Sequence, residues 1–374
     1  MLISRSIEKD IKDKFFKNKA ILILGPRQTG KTTLVRKILE NTDIAYLWLS
    51  GEDINARMQL SVHSVSHLKA LLGGHKLVVI DEAQYVSNIG LTLKLIVDNM
   101  PEIQVIATGS SSFELASLLN EPLTGRKWEY FLYPLSNREL TDHFGVIHEK
   151  GMMEHRLIYG TYPEVVTNAG NEKEILHLLT SSYLYKDLFV HEQIKKPQVL
   201  EKLVRALAFQ TGNEVSYNEL AQTVCADFQT IEKYVDLLEK AFIIFRLYSL
   251  SRNLRNEIKK GRKIYFYDNG IRNAIMGNFL PVSNRTDTGA LWENYFVSER
   301  IKYLRYNKIY TNQYFWRTHA QQEIDYLEER DGKIYAFEIK WNRRAKVTFP
   351  GSFLTSYPEV ETITITPDNF ETYL

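Results

Sequence analysis

Three features of the sequence predict an α/β fold built on a parallel sheet and followed by smaller helical and mixed modules. Short apolar runs alternate with helix-length segments, a glycine-rich stretch GPRQTGKT joins the first run to the first helix, and 374 residues exceed what one hydrophobic core usually organises.

The apolar runs are Ala20 to Leu24, Ile44 to Leu49, Leu77 to Ile80 and Val105 to Ala107. Each is continuous rather than alternating, the pattern of a parallel strand buried on both faces. Helices are expected between them, including Thr32 to Glu40 and Leu91 to Asn99. This first domain is expected to span 1–134.

From Leu135 the strand signals stop, and Ile175, Leu178, Leu179, Tyr183 and Leu184 repeat at helical spacing, so 135–195 is expected to form a helical lid. The segment 196–285 reads as a winged helix-turn-helix. Its helices are Gln198 to Thr211, one opened by a Ser216–Glu219 capping box, and one from Asp227 with Phe228, Ile231, Val235 and Leu238 on one face. Strands at Phe242 to Leu250 and Lys263 to Tyr267 would form the wing. The remainder, 286–374, places a helix, Ala290 to Tyr303, before four strands.

Composition describes a folding chain: 44% hydrophobic, 25% charged and 12% aromatic residues leave no room for long disorder. The net charge of +2 means that any nucleic-acid affinity must come from local patches. One cysteine, Cys225, excludes an internal disulfide and a cysteine-rich metal site, and it is expected to be a small buried hydrophobe. No apolar stretch reaches the ~20 residues that cross a bilayer, and the charged N-terminus does not read as a secretory signal, so a cytoplasmic protein without a membrane partner is expected.

Gly25, Pro26, Arg27, Gln28, Thr29, Gly30, Lys31, Thr32 and Thr33 follow a strand and open a helix, the context in which this spacing binds nucleotide phosphates. Glycines let successive N–H groups point at phosphate, Lys31 would reach the β- and γ-phosphates, and the Thr32 hydroxyl would bind Mg²⁺. Asp81, at the end of the LVVID run, would complete the magnesium shell. Glu82, directly after it, would polarise the attacking water as general base. Ser110, ending the IATGS strand, is the candidate to contact the γ-phosphate or the water, with Thr108 in reserve. Arg126 would stabilise γ-phosphate charge from its own or a neighbouring subunit.

The order GPRQTGKT, LVVIDE, IATGSS, GRKWEYFLYPLS resembles the AAA-like branch of P-loop ATPases, in which a strand carrying a polar sensor lies between the two Walker strands. That resemblance covers roughly residues 1 to 195. The segments SYNELAQ, QTIEKYVDLLEKAFIIFRL, KIYFYDNGI, GALWENYF, EIDYL and FEIK resemble the carboxy-terminal region of a bacterial and archaeal ATPase family. There a winged helix precedes a domain similar to PD-(D/E)XK nucleases, an α/β restriction-endonuclease-like fold. The resemblance implies ATP and Mg²⁺ as cofactors.

The third helix of the winged segment carries Glu232, Asp236 and Glu239 beside Gln229, Thr230 and Lys233, a poor face for phosphates. Basic residues gather instead in the wing: Arg246, Arg252, Arg255, Lys259, Lys260, Arg262 and Lys263. A wing that touches a phosphate backbone, of DNA rather than RNA, is one expectation; a module that only packs domains together is the other.

Asp331-Gly332 between two strand-like runs predicts a two-residue hairpin. Pairing Arg330 with Lys333 then sets Asp325 opposite Glu338 and Glu323 opposite Lys340 on one face, with Ile324, Tyr326, Tyr335, Phe337 and Ile339 on the other. Two carboxylates about 5 Å apart repel unless a cation lies between them. A divalent metal, Mg²⁺ or Mn²⁺, suits oxygen-only ligands, and Lys340 would stabilise phosphate charge. These residues match the acid and E-x-K elements of the nuclease pattern, with Ile324 where the name has proline, and Glu293 resembles the additional acidic ligand. The combined expectation is an ATPase that engages nucleic acid, with metal-dependent cleavage left open at the C-terminal site. Its alternative is a nucleotide-dependent switch that recognises DNA, a protein partner or a second copy without cutting.

Overall fold

The computed structural model describes residues 1–40, 42–110, 123–181, 194, 196–250, 261–318 and 320–374. They divide into two compact units: Met1–Pro134 with Lys240–Phe242, and Leu135–Glu239 with Ile243–Leu374.

In the first unit β1 (Ala20–Leu24), β2 (Tyr46–Ser50), β3 (Leu77–Asp81), β4 (Gln104–Gly109) and β5 (Lys127–Phe131) form one sheet in the order β2-β3-β4-β1-β5. Every pairing is parallel. All five residues of β1 and of β3 are buried, because helices cover both faces and the AILIL and LVVID runs lose apolar surface on each side. The helix Lys31–Glu40 turns Leu34, Val35, Ile38 and Leu39 inward, and Ile89–Asn99 turns Ile89, Leu93 and Ile96 inward. In a parallel sheet the carboxyl ends of all strands lie on one edge, and β4 brings its own end between those of β1 and β3.

The second unit is organised by a mixed sheet of seven strands, β12-β11-β10-β9-β7-β8-β6. They are β6 (Glu214–Val215), β7 (Ile244–Ser249), β8 (Arg262–Phe266), β9 (Asn312–Arg317), β10 (Glu323–Arg330), β11 (Lys333–Ile339) and β12 (Glu361–Ile365). The strands expected for two modules, 196–285 and 286–374, are therefore continuous. Parallel pairing of Tyr248 with Tyr314 and Ser249 with Phe315 joins them, satisfying edges that separate domains would leave open.

The helices expected to form a lid are built into this second unit. Met153, Leu157 and Ile158 of the helix Met153–Tyr159 share a core with Phe245, Tyr265, Trp292, Phe296 and Phe337. Polar ties reinforce it: Asn137 N donates to Glu299 Oε2 at 2.6 Å, and Lys302 Nζ donates to Leu135 O at 3.1 Å. Asp268 accepts from Thr161 N at 2.7 Å, and a Cβ at Gly160 would lie 2.1 Å from the Asp268 carboxylate, so this close approach requires glycine. Tyr183 and Leu184, part of the same helical spacing, lie outside the described residues.

The hairpin adopts its expected register, Arg330 with Lys333 and Tyr326 with Phe337. Asp331 and Gly332 both take positive φ, 50° and 75°, as a two-residue turn of primed type requires. One detail differs. A register shift against β9 between Ile324 and Leu327 turns Ile324 into a second cluster with Leu327, Ala336 and Phe353, away from Tyr326 and Phe337. Both faces of the hairpin are consequently covered. Cys225 is exposed rather than buried, because it ends the helix Tyr217–Val224 in left-handed conformation at φ 55°. Among the described residues no helix is long and apolar enough to cross a membrane.

Candidate active site

The Gly25–Gly30 loop leaves the carboxyl end of β1, and Lys31, Thr32 and Thr33 begin the following helix. Gly25 has φ 156° and a Cβ there would lie 2.1 Å from Leu132 O, so the loop's first turn admits only glycine. Gln28 and Gly30 also take positive φ, 55° and 89°. Thr29 Oγ1 donates to Pro26 O at 2.8 Å, and Arg27 donates to the Tyr85 hydroxyl. Arg5, which nothing in the local pattern singles out, is buried and donates to Thr29 O and Tyr133 O, each at 2.6 Å. It ties the loop to the segment after β5.

Lys31 Nζ donates to Gly25 O at 2.9 Å and to Pro26 O at 2.8 Å, holding a buried ammonium inside the loop. Thr32 Oγ1 lies 3.1 Å from each Asp81 carboxylate oxygen. A hydroxyl, a carboxylate and a backbone cradle at a helix N-terminus make a donor set suited to a nucleotide phosphate with Mg²⁺, so the residues present fit both.

Thr108, the reserve candidate, makes the central contacts. Its hydroxyl donates to Asp81 Oδ1 at 2.5 Å and accepts from Glu82 N at 3.0 Å. Glu82 sits in left-handed conformation, φ 51° and ψ 48°, with its carbonyl against Gly51, where a Cβ would approach to 2.2 Å. Ser110, the first candidate, lies one step farther out: its hydroxyl accepts from Gln84 Nε2 at 2.8 Å, and the same Nε2 donates to Glu82 Oε2. Gln84 was not among the sequence candidates; only its place two residues after Glu82 could have drawn notice.

Arg126 does not meet the loop of its own chain. Its carbonyl accepts from the N–H of Ala20, the first residue of β1, whereas the phosphate loop follows the last. Five residues of strand separate the two edges by roughly 16 Å. Its guanidinium pairs with Asp98 instead, at 2.5 Å.

The C-terminal candidates do converge, but with cations among them. Lys340 Nζ lies 3.1 Å from Asp325 Oδ2 and 2.8 Å from Glu338 Oε2, and Ile339 N donates to Asp325 Oδ2 at 2.8 Å. Lys263, almost fully buried, meets Glu293 at 3.3 Å and Glu323 at 2.5 Å, and the Tyr265 hydroxyl donates to Glu293 at 2.6 Å. The expectation of two acids facing each other without a protein cation is therefore corrected: the Lys340 ammonium lies against both. Among the described residues no group of three or more His, Cys, Asp or Glu is arranged to hold a metal. Burial, reinforced by the Asp325 charge, pushes Glu293 and Glu338 each up to about 7. Burial opposes the charge on Lys340 and Lys263, yet the surrounding carboxylates outweigh it and raise both.

Of the basic residues expected in a wing, the described ones are taken up by neighbouring side chains. Arg246 pairs with Asp236 at 2.6 Å and with Glu239, Arg262 stacks on Tyr217 at 4.1 Å, and Lys263 is in the acidic cluster. Arg252, Arg255, Lys259 and Lys260 lie outside the described residues.

A parallel sheet with a phosphate loop at β1, an acid pair at the end of β3 and a polar strand between them gives the first unit the architecture of an AAA-type P-loop nucleotide-binding domain. The family comparison agrees: a model described as an AAA domain matches residues 17–141, and two domains of unknown function, DUF8612 and DUF4143, match 151–282 and 288–369. Relatives include an uncharacterised protein of Mycobacterium tuberculosis, 26% identical over 326 residues, covering 86% of this chain and 70% of its own. Another, from Methanocaldococcus jannaschii, is 24% identical over 330 residues, covering 77% of this chain and 69% of its own. Among solved structures, a Walker-type ATPase of Pyrococcus abyssi aligns with TM-score 0.50 at 16% identity, over 73% of this chain and 96% of that one, a likeness of fold.

Proposed function

We propose that the protein is an ATP-hydrolysing switch whose second unit engages nucleic acid without cutting it. The observation that carries the hydrolytic part is the single Thr108 hydroxyl shared between Asp81 and Glu82. It couples the metal-binding acid to the acid that acts on water, an arrangement a passive nucleotide binder does not need. Lys31 would hold the β- and γ-phosphates, and Thr32 with Asp81 would hold Mg²⁺, which would supply charge neutralisation on the phosphates. Glu82 orients a water and takes its proton. Lys31→Ala is expected to lose tight ATP binding, while Glu82→Gln binds ATP and hydrolyses it about 100-fold more slowly. Wild-type turnover in Glu82→Gln removes Glu82 from the mechanism.

For the second unit, the helices Pro197–Phe209, Tyr217–Val224 and Phe228–Lys240 with the antiparallel order β6-β8-β7 support a winged helix. The basic run through Arg252, Arg255, Lys259 and Lys260 supports contact with a DNA backbone. Replacing those four together is expected to weaken binding to unrelated duplexes and flatten its salt dependence. No binding by the wild type at low salt, with or without ATP, ends this part. The pairing of the C-terminal carboxylates with Lys340 and Lys263, with no metal-holding group among the described residues, weighs against cleavage.

A second reading, metal-dependent cleavage, draws on Asp325 and Glu338, two buried acids beside Lys340. A melting temperature raised by Mg²⁺ or Mn²⁺ and lost in Asp325→Ala, with cleavage of DNA, would replace the non-cutting reading with this one.

A further inference from the structure

The short 3-10 helix Ala83–Tyr85 begins directly after Glu82, and its second residue is buried against the carboxyl end of β4. Gln84 Nε2 lies 2.8 Å from Ser110 Oγ and also donates to Glu82 Oε2. One amide nitrogen thus spends both hydrogens, one on the carboxylate and one on the strand that ends beside it. Glu82 has its own backbone held separately, through its N–H to Thr108 and its carbonyl against Gly51. Backbone and carboxylate are consequently fixed by different residues. Thr108 sets where Glu82 starts, and Gln84 sets where its carboxylate ends.

We infer that Gln84 is a positioning residue for hydrolysis: it aims the Glu82 carboxylate by anchoring it to Ser110. The assignment rests on the ATP-hydrolysing reading above. A carboxylate on a residue with φ 51° has a side-chain direction unlike that of ordinary strand or helix positions, so its aim depends on what holds its tip. Gln84 is itself buried and supplies that hold to a carboxylate that is only partly buried, and a hydrogen bond to a charged oxygen is stronger than one between neutral groups. Its amide nitrogen bonds Glu82 and Ser110, not Lys31, Thr32 or Asp81. Its removal should leave nucleotide affinity alone and lower only the rate.

The test uses the full chain with Gln84→Met, which preserves length and volume but carries no donor, alongside Gln84→Ala and Ser110→Ala. Steady-state kcat for ATP and nucleotide affinity by fluorescence titration are measured on each, alone and combined with Glu82→Gln. Gln84→Met is expected to lower kcat between about 10- and 100-fold, since a small misplacement of a reacting group has that effect, with nucleotide affinity within about twofold of wild type. Ser110→Ala should lower kcat in the same direction by less. In the Glu82→Gln background Gln84→Met should produce no further loss, because no carboxylate remains to aim. A kcat within about twofold of wild type, an affinity that falls with the rate, or an equal loss in the Glu82→Gln background overturns the inference while leaving ATP hydrolysis established. A wild-type chain that hydrolyses no ATP overturns the hydrolytic reading, and this inference with it.

Discussion

The Thr108 hydroxyl lies 2.5 Å from the Asp81 carboxylate and 3.0 Å from the N–H of Glu82, joining two strands at the edge where the phosphate loop begins. Thr108→Val keeps the branched shape but leaves a buried N–H and a buried carboxylate without this partner. The expected cost is about 1–3 kcal/mol in urea-measured stability, with a clear fall in kcat, whereas Thr108→Ser should keep most of both. Equal behaviour of the valine and serine variants would show that the hydroxyl does not matter.

Arg126 serves as a negative control. Its pair with Asp98 is exposed on both sides and lies at the opposite edge from the phosphate loop. Arg126→Ala should change stability by less than about 1 kcal/mol and leave the turnover of dilute protein within about twofold. A large loss of turnover that returns when Arg126→Ala is mixed with Lys31→Ala would instead show that this arginine acts on a neighbouring copy.

Stability of the second unit should fall as pH rises through neutrality. Burial and the nearby Asp325 charge raise Glu293 and Glu338 from 4.5 to about 7, so the folded chain holds protons there that the unfolded chain has released. The contribution is full below about 4.5 and lost as pH rises through about 7. Urea unfolding at about pH 5 and about pH 8 should differ by on the order of a few kcal/mol, and Glu338→Gln should flatten the difference. A profile identical in wild type and Glu338→Gln would contradict it.

Lys340 lies within 3.1 Å of Asp325 and 2.8 Å of Glu338, and its side chain is 38% exposed. Solvent screening limits the loss from Lys340→Ala to about 1–3 kcal/mol. The loss should be greater at about pH 8 than at about pH 5, because Glu338 can take a proton at the lower pH and shed the uncompensated charge. A loss independent of pH would mean that the lysine only packs.

Four of the five strands of the first sheet were legible because a run such as LVVID admits little but a buried parallel strand, and GPRQTGKT between strand and helix admits little but a phosphate loop. The fifth, KWEYF, was not, since it is an edge strand with no continuous apolar run, and the edge strand β2 is only half-buried rather than covered on both faces. The hairpin register was legible for the same local reason: Asp331-Gly332 specifies the turn, and alternation with period two then carries the pairing along both strands. The rest depends on contacts between residues distant in sequence. Pairing of Ile80 with Ala107 is what sets Thr108, rather than Ser110, beside Asp81, and no local pattern in IATGSS distinguishes the two. Strand direction puts Arg126 at the start of β1 instead of its end. The meeting of Lys263 with Glu293 and Glu323, the joining of β7 to β9, and the gathering of Met153, Leu157 and Ile158 into one core with Trp292 likewise arise only when the chain closes on itself. Local sequence specifies backbone shape and which faces are apolar; which polar groups then face each other is decided by burial, since a buried charge must find its partner wherever the folded chain provides one.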